Sequence, residues 1–196
     1  MTRIAEIIES TTTTFTAGSY ELLAAPAFGS LVRAEGRTSC SAYGLVYAIH
    51  TGSPEQGGRA VVRGREGMYD GDIYAANPDL EAVLQTEFMA ATVGYCDGPL
   101  IRQHLPAQPP PVHYSVYTCD ADELVRFTKR FDFLRSVLYA GDLPSDELIG
   151  AFLRQAGEAH TDPYAFLITA GRQLATLLRD DHQRLMALIE QIRPAM

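Results

Sequence analysis

Lysine is nearly absent. Of sixteen basic residues in a chain of 196, fifteen are arginine and Lys129 is the single lysine. A Walker A loop uses lysine to reach the β- and γ-phosphates, and Schiff-base enzymes and Lys-activated serine hydrolases need its amine. Lys129 stands in Phe127-Thr128-Lys129-Arg130 with no glycine beside it, which is not a P-loop. Cysteine is scarce as well: Cys40, Cys96 and Cys119 are odd in number and widely spaced, which does not suit a disulfide framework and points to reduced thiols. There is no Gly-x-Ser-x-Gly elbow, and Gly52-Ser53-Pro54 reads as a turn. No apolar run approaches the length of a membrane span, and Glu6 falls where a secretory signal would carry its apolar stretch. A cytoplasmic protein without a membrane partner is expected.

What remains is an ordinary globular composition, with 46% hydrophobic and 20% charged residues. At roughly 150 residues per domain the length suits one domain, or a modest domain with an appendage. The formal charge of −8 argues against a protein that wraps polyphosphate by bulk charge.

Two halves differ in hydrophobic period. Up to about residue 120 the chain reads as short strands and turns. Ile4 to Ser10 is one strand, and Ser10 to Thr14 running into Phe15-Thr16-Ala17 makes either a second strand or a bent continuation. Gly29 to Ala34 follows. In Tyr43 to Thr51, the residues Tyr43, Leu45, Tyr47 and Ile49 alternate with Gly44, Val46, Ala48 and His50. Large side chains on one face and mostly small ones on the other suit a tightly curved, closed sheet. Residues 52–77 form a long Gly-rich loop, and Asn77-Pro78-Asp79-Leu80 predicts a short helix from Pro78 to about Gln85. Glu87 to Cys96 alternates again, and Val112 to Cys119 supplies the last strand. Pro106 and Pro109 to Pro111 place an extended crossing or edge before it. From Asp120 the period becomes helical. Asp120 and Glu123 fit a capping-box start, and Leu124, Phe127, Phe131, Leu134 and Leu138 form one stripe closed by Gly141 and Pro144. A second helix is expected from Ser145 to about Ala159. A third is capped by Thr161-Asp162-Pro163, and Asp180-Asp181 leaves open whether residues 163–193 make one helix or two. The expected fold is therefore α+β: a small N-terminal β-barrel of about six strands over residues 1–120, then a C-terminal α-helical hairpin or bundle over 121–196.

Chemistry-bearing clusters are thin. Cys96, His104, His113 and Cys119 lack the close ligand pairing of zinc sites, so no metal is expected. Acid pairs such as Asp122-Glu123, Asp146-Glu147 and Asp180-Asp181 lie at helix starts or a helix break, where the macrodipole accounts for them. Cys119 before Asp120 carries no catalytic signature. No catalytic residue, cofactor or enzymatic activity is expected. Arg59, Arg63 and Arg65 are the only concentration of positive charge in the first 121 residues, a candidate contact for an anion or a partner. Glu55, Glu66, Asp70 and Asp72 nearby supply counter-charge, which favours a solvated loop over anion binding.

The order of these features resembles a known module. Glu9-Ser10-Thr11 ending a first strand, then Gly29-Ser30-Leu31-Val32, Tyr43-Gly44-Leu45-Val46-Tyr47, Ala91-Thr92-Val93-Gly94-Tyr95, and a Pro-rich crossing into His113-Tyr114-Ser115-Val116-Tyr117 are similar to the HAS-barrel. That barrel stands at the N-terminus of HerA-type hexameric DNA-translocating ATPases and of the ATP synthase α and β subunits. The resemblance covers residues 1 to about 122. It implies a collar-like barrel without chemistry of its own, one that packs around a ring and can face a nuclease. No Walker A lysine follows, so no nucleotide-binding residue carries over. The resemblance implies a non-catalytic assembly or adaptor protein, as a homo-oligomer or in complex with an ATPase or nuclease. The alternative is a barrel that binds single-stranded nucleic acid. Seven basic against thirteen acidic residues in positions 1–121 weigh against it.

Overall fold

The hydroxyl run after Ser10 turns the chain back on itself. Strands β1 (Arg3–Ser10) and β2 (Thr14–Ser19) pair antiparallel, with Ser10 opposite Phe15. Thr11 Oγ1 accepts from the Thr13 and Thr14 N–H groups at 3.2 and 3.0 Å, the local bonding that favours threonine in turns. Two strands form here, not one bent strand.

A computed structural model gives the fold and describes residues 2–37, 40–55 and 57–193. Five more strands complete one antiparallel sheet: β3 (Leu31–Ala34), β4 (Ala42–Gly52), β5 (Gln85–Asp97), β6 (Leu100–Arg102) and β7 (Ser115–Thr118). The order is β2-β1-β7-β3-β4-β5-β6, and β2 also pairs with β5. Six strands therefore close into a barrel. The short β6, which the alternation pattern did not reveal, sits outside the ring on the far half of β5. The Pro-rich stretch 106–111 carries no strand, consistent with its missing donors.

The barrel is filled. Ile7, Phe15, Val32, Val46, Phe88 and Val116 meet inside it, with Ala5, Ala17, Ala34 and Ala90 where the wall is tight. The small face of β4 is the inner one. A Cβ on Gly44 would lie 2.7 Å from the Phe15 ring and 2.9 Å from Ala90 Cβ. The large residues Tyr43 and Leu45 point outward instead, beneath the helices. Their face does not persist along the strand. A register shift between Val46 and Ala48 breaks the alternation, and Ile49 is 46% exposed.

The long connection between β4 and β5 is an arm, closed at its base by Gly52 opposite Gln85. It holds two short helices, α1 (Gly71–Ala76) and α2 (Leu80–Val83), so the helix expected over Pro78 to Gln85 shrinks to four residues because β5 already begins at Gln85.

The expected helix from Asp120 to Leu138 is two helices, α3 (Ala121–Phe127) and α4 (Phe133–Leu138). Gln103, buried, holds the break open. Its Nε2 donates to the Phe127 and Arg130 carbonyls at 2.7 and 3.0 Å, and its Oε1 accepts from Phe133 N–H at 3.4 Å. Carbonyls and a donor freed by the interruption are thus satisfied by a residue 24 to 30 positions away. Helix α5 (Ser145–Ala159) falls where the sequence places it and is buried along most of its length. The acid pair does break the last segment. Asp162 caps α6 (Pro163–Leu177) by accepting from Ala165 N–H, and Asp181 caps α7 (His182–Ile192) by accepting from Arg184 N–H, each at 3.0 Å. Arg184 also forks onto Asp146 at 2.7 and 2.9 Å and onto the Leu138 carbonyl, tying α7 to the start of α5.

The helical core is continuous with the outer face of the barrel. Leu31, Tyr43, Leu45 and Val93 join Phe127, Phe133, Phe152 and Leu153 in one cluster. Gly29, at φ +85°, brings the barrel against α5, since a Cβ there would fall 2.6 Å from Ala151 Cβ. No helix among the described residues is long and apolar enough to cross a membrane.

Candidate functional site

The three arginines singled out in the sequence lie on the arm, and the fold does not use them alike. Arg63 is folded down: its guanidinium meets Asp79 at 2.8 Å and donates to Asn77 Oδ1 at 3.1 Å, while Asn77 Nδ2 donates to the Ile73 carbonyl. Arg59 and Arg65 form no ion pair among the described residues. Arg65 takes part only in a backbone bridge with Met68. The fold thus ties one of the three arginines to the arm itself. The arm also exposes apolar side chains, with Val61 at 80% and Val62 at 93% exposure, and Tyr69 beyond them is open to solvent as well. Consecutive exposed valines on a protruding segment leave apolar surface in water that contact with another chain would remove.

A second cluster lies where α3 crosses the barrel. Alternation along β3 puts Val32 and Ala34 inside and turns Arg33 outward, between Tyr43 of β4 and Tyr117 of β7. The α3 cap then sets Glu123 over it: Asp120 Oδ1 accepts from the Glu123 N–H at 3.0 Å. Only this half of the expected capping box forms. The Glu123 side chain, fully buried, accepts from Tyr43 Oη at 2.8 Å and from Arg33 Nη1 at 3.3 Å. Arg33 also reaches Glu35 at 3.4 Å, and Ser41 Oγ donates to Glu35. Burial works against the Arg33 charge, but Glu123 and Glu35 outweigh it and raise its pKa. Burial first, then the bond to Glu123, pushes the Tyr43 phenol well above its usual range. Burial and the Glu123 charge do the same to the Cys119 thiol. Thiol and phenol both stay protonated, so neither is an activated nucleophile. The cluster holds the two halves of the molecule in one arrangement. From its sequence neighbours Glu123 is a cap residue only, because nothing local shows which distant side chains will lie beneath it.

The remaining histidines and cysteines are dispersed. His104 packs edge-on to Tyr95 with ring centroids 5.2 Å apart, and His113 lies on Glu6. His160 stacks on Phe166 at 4.2 Å and meets Thr128 Oγ1 at 2.8 Å, and burial lowers its pKa. No group of three or more metal-ligating side chains comes together among the described residues. A cleft of about 690 Å³ opens where Arg37 and Cys40 face Tyr95 and the Pro106–Val112 strap, and among the described residues no histidine or carboxylate lines it. The Cys40 thiol beside it is raised by burial, so no base and no thiolate are paired there.

No protein-family model matches this chain, and no curated protein matches it.

Proposed function

We propose that this protein is a non-catalytic assembly or adaptor protein, in which a filled barrel locked to a helical bundle presents the 53–84 arm to another protein chain. The observation that carries this reading is the exposed Val61-Val62 pair on an arm anchored at its base by the Gly52–Gln85 pairing and the buried Leu80. The resemblance of the sequence motifs, in their order along the chain, to the HAS-barrel suggests the kind of assembly: self-association in a ring, or docking onto a HerA-type DNA-translocating ATPase or its nuclease. The nucleic-acid reading has only Arg59 and Arg65 of the arm to draw on, since Arg63 is paired with Asp79, and the acidic balance of the chain weighs against it.

Light scattering coupled to size exclusion tests the reading on the full chain and on a Val61→Asp/Val62→Asp variant. The expected result is a species larger than 21.5 kDa for the parent chain that shifts toward monomer in the variant. A strict monomer in both, with no ATPase or nuclease retained on affinity purification from the native host, overturns it. Oligonucleotide binding that falls steeply with salt and with Arg59→Ala/Arg65→Ala would replace it with the nucleic-acid reading.

A further inference from the structure

Closing a barrel removes strand edges, and here one edge survives. Among the described residues each of the six barrel strands has a neighbour on both sides, whereas β6 pairs only with β5. The Cys96 N–H donates to the Ser41 carbonyl, so Cys96 faces β4 while Tyr95 and Asp97 face β6. Their partners Arg102 and Leu100 therefore use their backbone groups on β5, and alternation turns the N–H and C=O of Ile101 outward.

That edge borders a groove of about 220 Å³ with an unusual charge for an acidic protein. Leu100 and Ile101 form one wall, Arg126, Lys129 and Arg130 the other, and among the described residues no carboxylate lines it. The cations are not needed to cap α3. Gln103 and the Thr128 hydroxyl already serve the Phe127, Arg130 and Leu124 carbonyls. Arg130 is engaged by Asp132 at 2.7 Å, and Arg126 comes no nearer than 3.9 Å to the shared Glu123 carboxylate. Lys129 forms no ion pair among the described residues. Phe127 at the base is buried, so the groove offers no aromatic face on which a nucleobase could stack.

We propose that β6 is a docking edge for an extended acidic peptide segment of a partner protein, which adds alongside Ile101 as a further strand and places its carboxylates against Lys129 and Arg126. Backbone pairing supplies the alignment and charge supplies the selectivity, as in strand addition generally. The proposal rests on the adaptor reading and names a partner surface separate from the arm.

A seven-residue peptide alternating valine and glutamate, and its valine–lysine counterpart, test it by amide shift mapping and titration on the full-length protein. The acidic peptide is expected to shift Leu100 to Gln103 and Arg126 to Arg130 and to slow exchange of the Ile101 amide. Lys129→Glu should weaken binding about tenfold and Lys129→Gln by less, in line with loss of a steering charge. Ile101→Pro removes the outward N–H, a change an edge strand tolerates, and trims a partly buried side chain, so in a variant whose circular dichroism is unchanged it should also weaken binding. Equal binding of the lysine peptide, shifts confined to other surfaces, no binding by a folded chain, or an oligothymidine occupying these residues in place of the peptide each overturns the proposal. An arm-dependent oligomer that ignores the peptide refutes strand addition while leaving the assembly reading. A strict monomer that binds it at β6 supports strand addition and removes self-association.

Discussion

Tyr43→Phe deletes a single oxygen, the one lying 2.8 Å from Glu123 Oε1 at the contact between barrel and helices. The ring keeps its packing against Phe127, 5.2 Å away, so the change isolates the hydrogen bond. A bond to a charged acceptor contributes about 1.5–3 kcal/mol, and Glu123 keeps Arg33 as a partner, so a loss of about 2 kcal/mol is expected. Glu123→Ala is the harsher change. Removing one member of a fully buried pair costs about 3–5 kcal/mol, but Arg33 is 21% exposed and regains some water, so a value near the lower end, about 3 kcal/mol, is expected. Because both substitutions remove the same bond, the double variant should lose less than the two single losses added, with a coupling of about 1–2 kcal/mol. Urea unfolding followed by far-ultraviolet circular dichroism reads these values, and unchanged m-values would show that the unfolded reference is the same. A Tyr43→Phe loss below about 0.5 kcal/mol, the range of an ordinary surface change, or purely additive losses, would refute the idea that this buried carboxylate joins the two parts.

Alkaline pH offers a second check. The fold raises the phenol of Tyr43 and the thiol of Cys119 above their ordinary values of 10 and 9, so both are held in the protonated form. The stability they contribute is complete below those ordinary values and declines as pH rises above them toward the folded-state values. The urea midpoint should therefore fall from about pH 9 upward, and a Tyr43→Phe/Cys119→Ala variant should show a flatter decline; parallel curves would contradict it. Gly44→Ala would press a methyl group against Phe15 and Ala90 inside the barrel and should cost about 1–3 kcal/mol by overpacking, measured by the same unfolding assay. A neutral outcome would mean that the small face of β4 does not line the barrel interior.

Local chemistry settled much of the fold before any tertiary information. The large-and-small alternation of β4, the Asp120 and Asp162 caps, and the span of α5 were all legible, since strand faces, cap bonds and helix stripes depend on residues at most a few positions apart, whereas the break at Asp180-Asp181 stayed open until the structure placed Asp181 as the cap of α7. Which face of β4 would turn inward was not, because closure of the ring, rather than side-chain size, decides where backbones crowd. The stripe from Leu124 to Leu138 reads as one helix, yet Gln103 reaches in from the end of β6 and makes two. The arm's arginines were visible, but their inequality was not: Arg63 finds Asp79 only once the arm folds back. Glu123 shows the limit most plainly. Its sequence neighbours mark a helix start, while its partners Arg33 and Tyr43 lie 90 and 80 residues away, brought beneath it by the pairing of β3 with β4. Sequence by itself determined the sparse lysine, the acidic balance and the change of period near Asp120. Tertiary structure alone decided which polar groups would be buried together and which strand would keep an open edge, because both depend on long-range pairing that no local pattern encodes.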